Sequence, residues 1–104
     1  MKFNELKIGS YHRDRSKETS YLDFGEEFAY FEELYIYRKD ENEMVLNRTH
    51  IYFLNNGGIE ETEDRGLKMG EEAWDSSWKN LEFITKGEMN RRVIKYFFTS
   101  RNYI

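Results

Sequence analysis

The sequence predicts an α+β domain that is mostly β: a small bent antiparallel sheet or barrel of five to six strands with one packed helix. Three observations lead to this fold class. Two central segments, 28–38 and 44–54, are rich in the aromatic and β-branched residues that strands favour. Residues 55–58 read Asn-Asn-Gly-Gly, a pattern typical of a tight hairpin turn. Trp74 and Trp78 have the spacing that places two side chains on one face of a helix.

Residues 28–38 are predicted to form a central strand, because apolar side chains occupy both faces when this segment is extended. A helix is the alternative, since aromatic residues from Phe24 to Tyr35 recur at spacings of four, three and four. After a turn at 39–42, residues 44–54 alternate in side-chain character along an extended chain. They are therefore predicted to pair with the central strand as a hairpin.

A second hairpin is predicted to begin at the Asn-Gly turn and to return through residues 59–63. Residues 71–81 follow, with acidic residues in the first turn and apolar residues at helical spacing. We expect this segment to be the single helix that covers the sheet. Its two tryptophans, Trp74 and Trp78, are predicted to be largely buried.

The C-terminal region is predicted to supply the last two strands, 81–85 and 91–99, on either side of a turn at 86–90. Residues 10–20 are polar and charged, which predicts a solvated loop. Residues 3–9 read Phe-Asn-Glu-Leu-Lys-Ile-Gly and resemble the start of many small bacterial and phage barrel proteins. The resemblance implies that the first strand begins there.

Length and composition predict one folded domain over residues 1–104. Aromatic residues make up 17% of the chain and supply apolar area for a core, while the 35% of charged residues favour solubility. The absence of cysteine excludes disulfides, thiolate nucleophiles and sulfur ligands, which fits a cytoplasmic protein. Neither a signal-peptide core nor a long apolar run is present, so no membrane association is expected.

No catalytic residue, metal site or cofactor is predicted. The carboxylates and histidines do not fall at metal-binding spacings, and the glycines of the predicted turn lack the Lys-Ser/Thr pair of a phosphate loop. His12 and His50 are the candidates for a paired general acid and base, with Arg13 and Arg48 close to them in sequence. A small metal-independent ribonuclease built on these residues is the second alternative function.

Charge is distributed unevenly along the chain, whose formal net charge is −4. Both ends are basic and the middle is acidic. Carboxylates along strands can imitate phosphates and occupy the basic groove of a nucleic-acid-processing enzyme. The leading interpretation is a non-enzymatic protein-binding module that modulates or inhibits such an enzyme. Its composition resembles products of AT-rich genomes, including phage and mobile-element proteins. The predicted acidic surface comprises Glu26, Glu27, Glu32, Glu33, Glu60, Glu61 and Glu63.

A nucleic-acid-binding domain is the first alternative. The C-terminal segment interleaves basic and aromatic residues, which can hold a single strand by charge and base stacking. The overall negative charge argues against it, because nonspecific nucleic-acid binders are usually basic. A homo-oligomer is compatible with each interpretation. The basic residues of this alternative are Arg91, Arg92, Lys95 and Arg101.

Overall fold

The computed structural model describes residues 1–16, 27–54 and 58–101. Within them the chain forms an open, four-stranded antiparallel sheet with the strands in sequence order, together with two α-helices. The elements are a 3-10 turn at Phe3–Glu5, strands β1 (Gly9–Asp14), β2 (Glu27–Lys39), β3 (Glu43–Leu54) and β4 (Ile59–Gly70), and helices α1 (Glu71–Ser77) and α2 (Lys86–Arg101). The predicted class, α+β and mostly β, is confirmed. The sheet has four strands and is open, so the predicted five to six strands and the barrel are not found in these residues.

The central strand β2 is the predicted one, and the helical alternative is wrong for it. Its side chains alternate between two covered faces. Leu34 and Ile36 lie on what we call the front face, and Ala29 and Phe31 lie on the back face. Both pairs are buried because different elements cover the two faces, which explains why the segment is apolar on both sides.

The front face is covered by the N-terminal turn and α1. Trp74 is fully buried, and its indole N–H donates a hydrogen bond of 2.7 Å to the carbonyl oxygen of Met1. The backbone N–H of Phe3 donates to Asp75 at 2.8 Å. These two bonds fix the N-terminus against α1. The buried residues of this core are Phe3, Leu6, Leu34, Ile36, Met44, Leu46 and Trp74.

The back face is covered by α2, so the strand predicted at 91–99 and the turn predicted at 86–90 are wrong. Met89 and Val93 lie one helical turn apart and pack against Phe31 and Phe53. The helix also carries ion pairs at helical spacing, since Glu88 bonds arginines three and four residues later. Packing of this apolar stripe overrides the strand preference of the aromatic residues in the segment.

The N-terminal prediction is also corrected. The run at 3–9 does not begin a strand; it forms the 3-10 turn, and β1 starts at Gly9, whose φ of 139° favours glycine. Residues 10–14, predicted to be loop, belong to β1. Their polar side chains are typical of a loop, but in the structure they form hydrogen bonds with side chains of β2 and α2.

The two edges of the sheet differ. Residues 78–85 run along β1, where the N–H of Ile84 donates to the carbonyl of His12 at 2.8 Å. Phe83 packs on the front core and Ile84 on the back core, so the chain crosses from one face to the other over this edge. The predicted strand at 81–85 is reduced to this single bridge.

The opposite edge is β4, the return arm of the predicted second hairpin. It continues to Gly70, well beyond the predicted end at residue 63, with a bulge where Gly66 adopts a φ of 68°. The turn residues 55–57 lie outside the described residues. The helix predicted over 71–81 ends at Ser77. Neither helix among the described residues is long and apolar enough to cross a membrane.

Candidate functional site

The front face changes character along β2 and β3. Next to the apolar core, Glu32 is fully buried, on the same face as Leu34. Its cross-strand neighbours are Arg13 on β1 and His50 on β3, and Tyr30 lies two residues before it on the same face of β2. The sheet register therefore gathers ionisable side chains around one carboxylate.

Three arginines bond that carboxylate. Arg13 donates to Oε1 of Glu32 at 3.1 Å, and Arg15 donates to Oε2 at 3.2 Å. Arg48 donates to Oε2 through Nε at 2.9 Å. The arginines come from β1, the residue after β1, and β3, so the cluster ties the strands on both sides of β2 to it. We call Glu32 and these arginines the arginine cluster.

The electrostatics of the arginine cluster follow from its burial. Burial alone would raise the pKa of the Glu32 carboxyl, but the guanidinium groups of Arg48 and Arg13 outweigh it and hold the pKa below its ordinary value. The carboxylate is therefore ionised at neutral pH. Removing one partner of such a buried group would leave an uncompensated charge, which is strongly destabilising.

His50 and Tyr30 continue the polar half of the face. Burial and the nearby Arg48 lower the pKa of His50, while burial raises the pKa of Tyr30. At neutral pH the imidazole is therefore uncharged and the phenol keeps its proton, and the Tyr30 hydroxyl is hydrogen-bonded to Nδ1 of His50. The Tyr30 ring also stacks on Tyr52, with ring centroids 4.5 Å apart. Nδ1 of His50 lies 3.8 Å from Oε2 of Glu32.

A cleft of about 310 Å³ lies over the cluster, between the sheet and the C-terminal end of α1. The guanidinium of Arg48 lies 4.9 Å from the centroid of the Trp78 ring, which is half-buried. Trp78, predicted to be largely buried, is partly buried: it packs against the front core and also forms one wall of this polar cleft. The cleft is lined by Arg13, Arg15, Arg48, Ser77, Trp78 and Leu81.

Two larger concavities lie elsewhere, one lined by charges of both signs and the other by carboxylates without a cationic residue. One, about 620 Å³, lies between the N-terminal segment and the β2–β3 turn, where Lys7 and Lys39 face Asp40 and Glu41. The other, about 490 Å³, lies at the start of α1. We therefore regard the smaller arginine-lined cleft as the better candidate site.

The two histidines do not form the predicted acid and base pair. His12 lies on the back face, with Nε2 3.1 Å from Oε2 of Glu33, whereas His50 lies on the front face. The central strand β2 separates them. Arg13 and Arg48, which are close to these histidines in sequence, both form ion pairs with Glu32. Among the described residues, no group of three or more histidine, aspartate and glutamate side chains could hold a metal ion.

The predicted acidic surface is divided by the fold. Glu32 is not on the surface at all, and Glu33 is half-buried against His12. Glu27 is the first residue of β2, and Glu26 lies outside the described residues. The three remaining residues are exposed together on β4: Glu60, Glu61 and Glu63.

The predicted basic surface lies on α2 and not on a strand, so its basic and aromatic residues do not alternate between two faces. Arg91 bonds Glu88 at 2.6 Å. Arg92 bonds both Glu88 and Asp14, the latter at 3.2 Å. Lys95 is exposed, and Arg101 is the last residue of the helix. The strand geometry on which the nucleic-acid alternative depended is absent from this segment.

Sequence reasoning missed the arginine cluster. A signal for it was present, because Tyr30, Glu32, Leu34 and Ile36 alternate along β2 and must share a face. A carboxylate in line with core residues requires cationic partners. The identity of those partners depends on the strand register, which places Arg13 opposite Glu32.

The chain matches no protein-family model, no curated protein and no solved structure.

Proposed function

We propose that this chain is a non-enzymatic protein-binding module that meets a basic partner through the outer edge of β4 and the start of α1. The partner chemistry that fits is the basic groove of a nucleic-acid-processing enzyme, whose activity the bound module would modulate or block. A cytoplasmic phage or mobile-element product is the proposed setting. The surface, which we call the acidic edge, comprises Glu60, Glu61, Glu63, Asp64, Glu71 and Glu72.

The observation that carries this proposal is the open edge of β4. Every residue from 59 to 66 is exposed, and the outer side of β4 pairs with no other strand among the described residues. Its unpaired backbone groups can add a strand from a partner, while its carboxylates attract basic side chains. Within this stretch, Arg65 is the one basic residue, and it bonds Glu63 at 3.2 Å.

A pull-down with the tagged chain tests whether the edge binds protein. We expect at least one basic protein to be retained from a lysate after nuclease treatment. The decisive comparison uses two exposed glutamates, Glu61 on β4 and Glu82 on the segment that crosses β1. Glu61→Lys and Glu82→Lys change the net charge equally, but we expect only Glu61→Lys to weaken retention.

The kinetics of the purified complex sharpen the test. Exposed interface charges act mainly on encounter, so Glu61→Lys should slow association by at least about threefold at low salt and reduce its salt dependence. Stopped-flow fluorescence measures both quantities. Equal association rates for the wild type, Glu61→Lys and Glu82→Lys would contradict the proposal, as would loss of all retained protein on nuclease treatment.

A further inference from the structure

We propose that the front-face cleft binds a phosphate group, presented by a mononucleotide or by a single strand of RNA, through Arg48 with Arg13 and Arg15. This site lies on the front face of the sheet, separate from the acidic edge. The proposal rests on the arrangement of the cluster and the cleft, and it does not depend on the proposed function.

The first step is the charge of the cluster. Three guanidinium groups lie within 3.2 Å of the single carboxylate of Glu32. All three arginines line the same concave site above that carboxylate. Concave sites with low-dielectric walls concentrate the field of such charges. An anion entering the cleft meets that field.

The second step is the geometry of Arg48. Its Nε bonds Glu32 at 2.9 Å, and its Cζ lies 4.9 Å from the Trp78 ring centroid. Its side chain is 23% exposed, and its terminal amino groups form no hydrogen bond among the described residues. A guanidinium fixed at Nε and supported by an aromatic ring presents its terminal N–H groups as a preorganised donor. Two oxygens of one phosphate group can accept hydrogen bonds from these N–H groups at the same time.

The third step is the rest of the lining. Ser77 provides a hydroxyl group at the rim of the cleft, and Trp78 and Leu81 form an apolar wall. Hydroxyl groups bond phosphate oxygens, and an apolar wall strengthens the attraction by excluding water from one side. The cleft, at about 310 Å³, has room for a phosphate group with part of an attached nucleoside.

The site is proposed for binding and not for catalysis. Glu32 is fully buried and its oxygens accept hydrogen bonds from the arginines, so it has no access to a substrate hydroxyl. Nδ1 of His50, 3.8 Å from Oε2 of Glu32, is hydrogen-bonded to the Tyr30 hydroxyl. No proton-transfer pair faces the cleft in this arrangement.

Calorimetry at low salt tests the proposal with three probes: inorganic phosphate, AMP and a single-stranded decamer of uridylate. We expect saturable binding of at least one probe. Similar affinity for phosphate and AMP identifies a small phosphorylated ligand, whereas binding of the decamer alone identifies an RNA strand. Arg48→Gln should lower the affinity by about tenfold or more. Arg65→Gln removes an exposed arginine on β4 and should change the affinity by less than about twofold.

Nuclear magnetic resonance of the wild-type protein provides a second test if Arg48→Gln does not fold. Titration with the binding probe should shift the indole N–H signal of Trp78 more than that of Trp74, whose N–H is bonded to Met1. Absence of saturable binding by all three probes would overturn the proposal. Binding that Arg48→Gln leaves unchanged, or shifts centred on Arg91 and Arg92, would overturn it too. Because Glu61→Lys acts on the acidic edge, either proposal can fail without the other.

Discussion

The same two strands build both halves of the front face, and the two halves are held by different forces. In the apolar half, Leu34, Ile36 and Leu46 pack beneath Trp74, and their stabilisation comes from removing apolar surface from water. In the polar half, Glu32 is equally buried but must be compensated by charged hydrogen bonds. Buried ion pairs often contribute no more stability than apolar residues of similar size. The apolar half therefore depends on packing, whereas the polar half depends on the pairing of buried charges.

The largest expected effect tests the apolar half. Trp74→Ala should lower the free energy of unfolding by about 3 to 5 kcal/mol, because it empties a fully buried site and removes the hydrogen bond to Met1. Trp78→Ala should lower it by only about 1 to 2 kcal/mol, since Trp78 is half-buried in the cleft wall. Urea denaturation measures both. Equal losses for the two variants would remove the distinction between core and cleft.

The next effect tests the polar half. Glu32→Gln should lower the free energy of unfolding by about 2 to 4 kcal/mol, because it leaves buried guanidinium groups without their counter-charge. Glu33→Gln is the matched control on the adjacent position and the opposite face, where the side chain is 33% exposed and bonds His12. It should cost less than about 1 kcal/mol. A tolerated Glu32→Gln would show that the cluster contributes little to the fold.

A smaller effect concerns pH. The folded-state pKa of His50 lies below its ordinary value of 6.5, so the unfolded chain takes up this proton first. The free energy of unfolding should therefore fall as the pH is lowered from above about 6.5 towards the folded-state pKa. The pKa of Glu32 is also lowered, so protonation of Glu32 should reduce the free energy of unfolding only at a more acidic pH, below about 4.5.

His50→Gln should flatten the dependence of stability on pH between about 7.5 and 5.5. Urea denaturation at several pH values in both proteins measures the slopes. The same slope with and without the imidazole would show that the Tyr30–His50 pair does not favour the neutral ring.

The smallest effect concerns the acidic edge. Glu61→Lys should change the free energy of unfolding by less than about 0.5 kcal/mol, because Glu61 is exposed and packs against no core residue. Denaturation of the variant used for binding supplies this measurement. A loss above about 1 kcal/mol would mean that changes in its binding reflect damage to β4.

The sequence pattern predicted β2 through its aromatic and β-branched residues, β3 through alternation, and the start of β4 through the preceding Asn-Gly turn. It failed for β1, whose polar residues Arg13 and Asp14 read as a loop until their partners on β2 and α2 are known. It failed for α2, where aromatic composition outweighed the helical spacing of Met89 and Val93. The amino-acid composition of a segment reflects local preferences, whereas the structures of β1 and α2 depend on contacts with distant segments.

The candidate site could be predicted only in part. Three residues of the proposed acidic surface are exposed on β4, as a strand rich in carboxylates suggests. Glu32 and Glu33 are adjacent and chemically alike, but successive side chains of a strand point to opposite faces. Glu32 therefore lies in the arginine cluster and Glu33 lies on the back face. Glu32 is in line with the buried residues Leu34 and Ile36, and Glu33 is in line with the buried residues Ala29 and Phe31. Alternation within β2 therefore does not decide which carboxylate the arginines bond, whereas the pairing with β1 and β3 does.

The unequal edges of the sheet also govern how copies of this chain can assemble. In the part of the chain that the structure describes, Ile84 lies along β1, and β4 is left as the open edge. Growth of a fibre by edge pairing needs two open edges on each molecule, one to accept a neighbour and one to offer. Two molecules that pair through β4 alone would form a two-fold symmetric pair. Carboxylates would face one another in that pair, so it would form more readily at high salt.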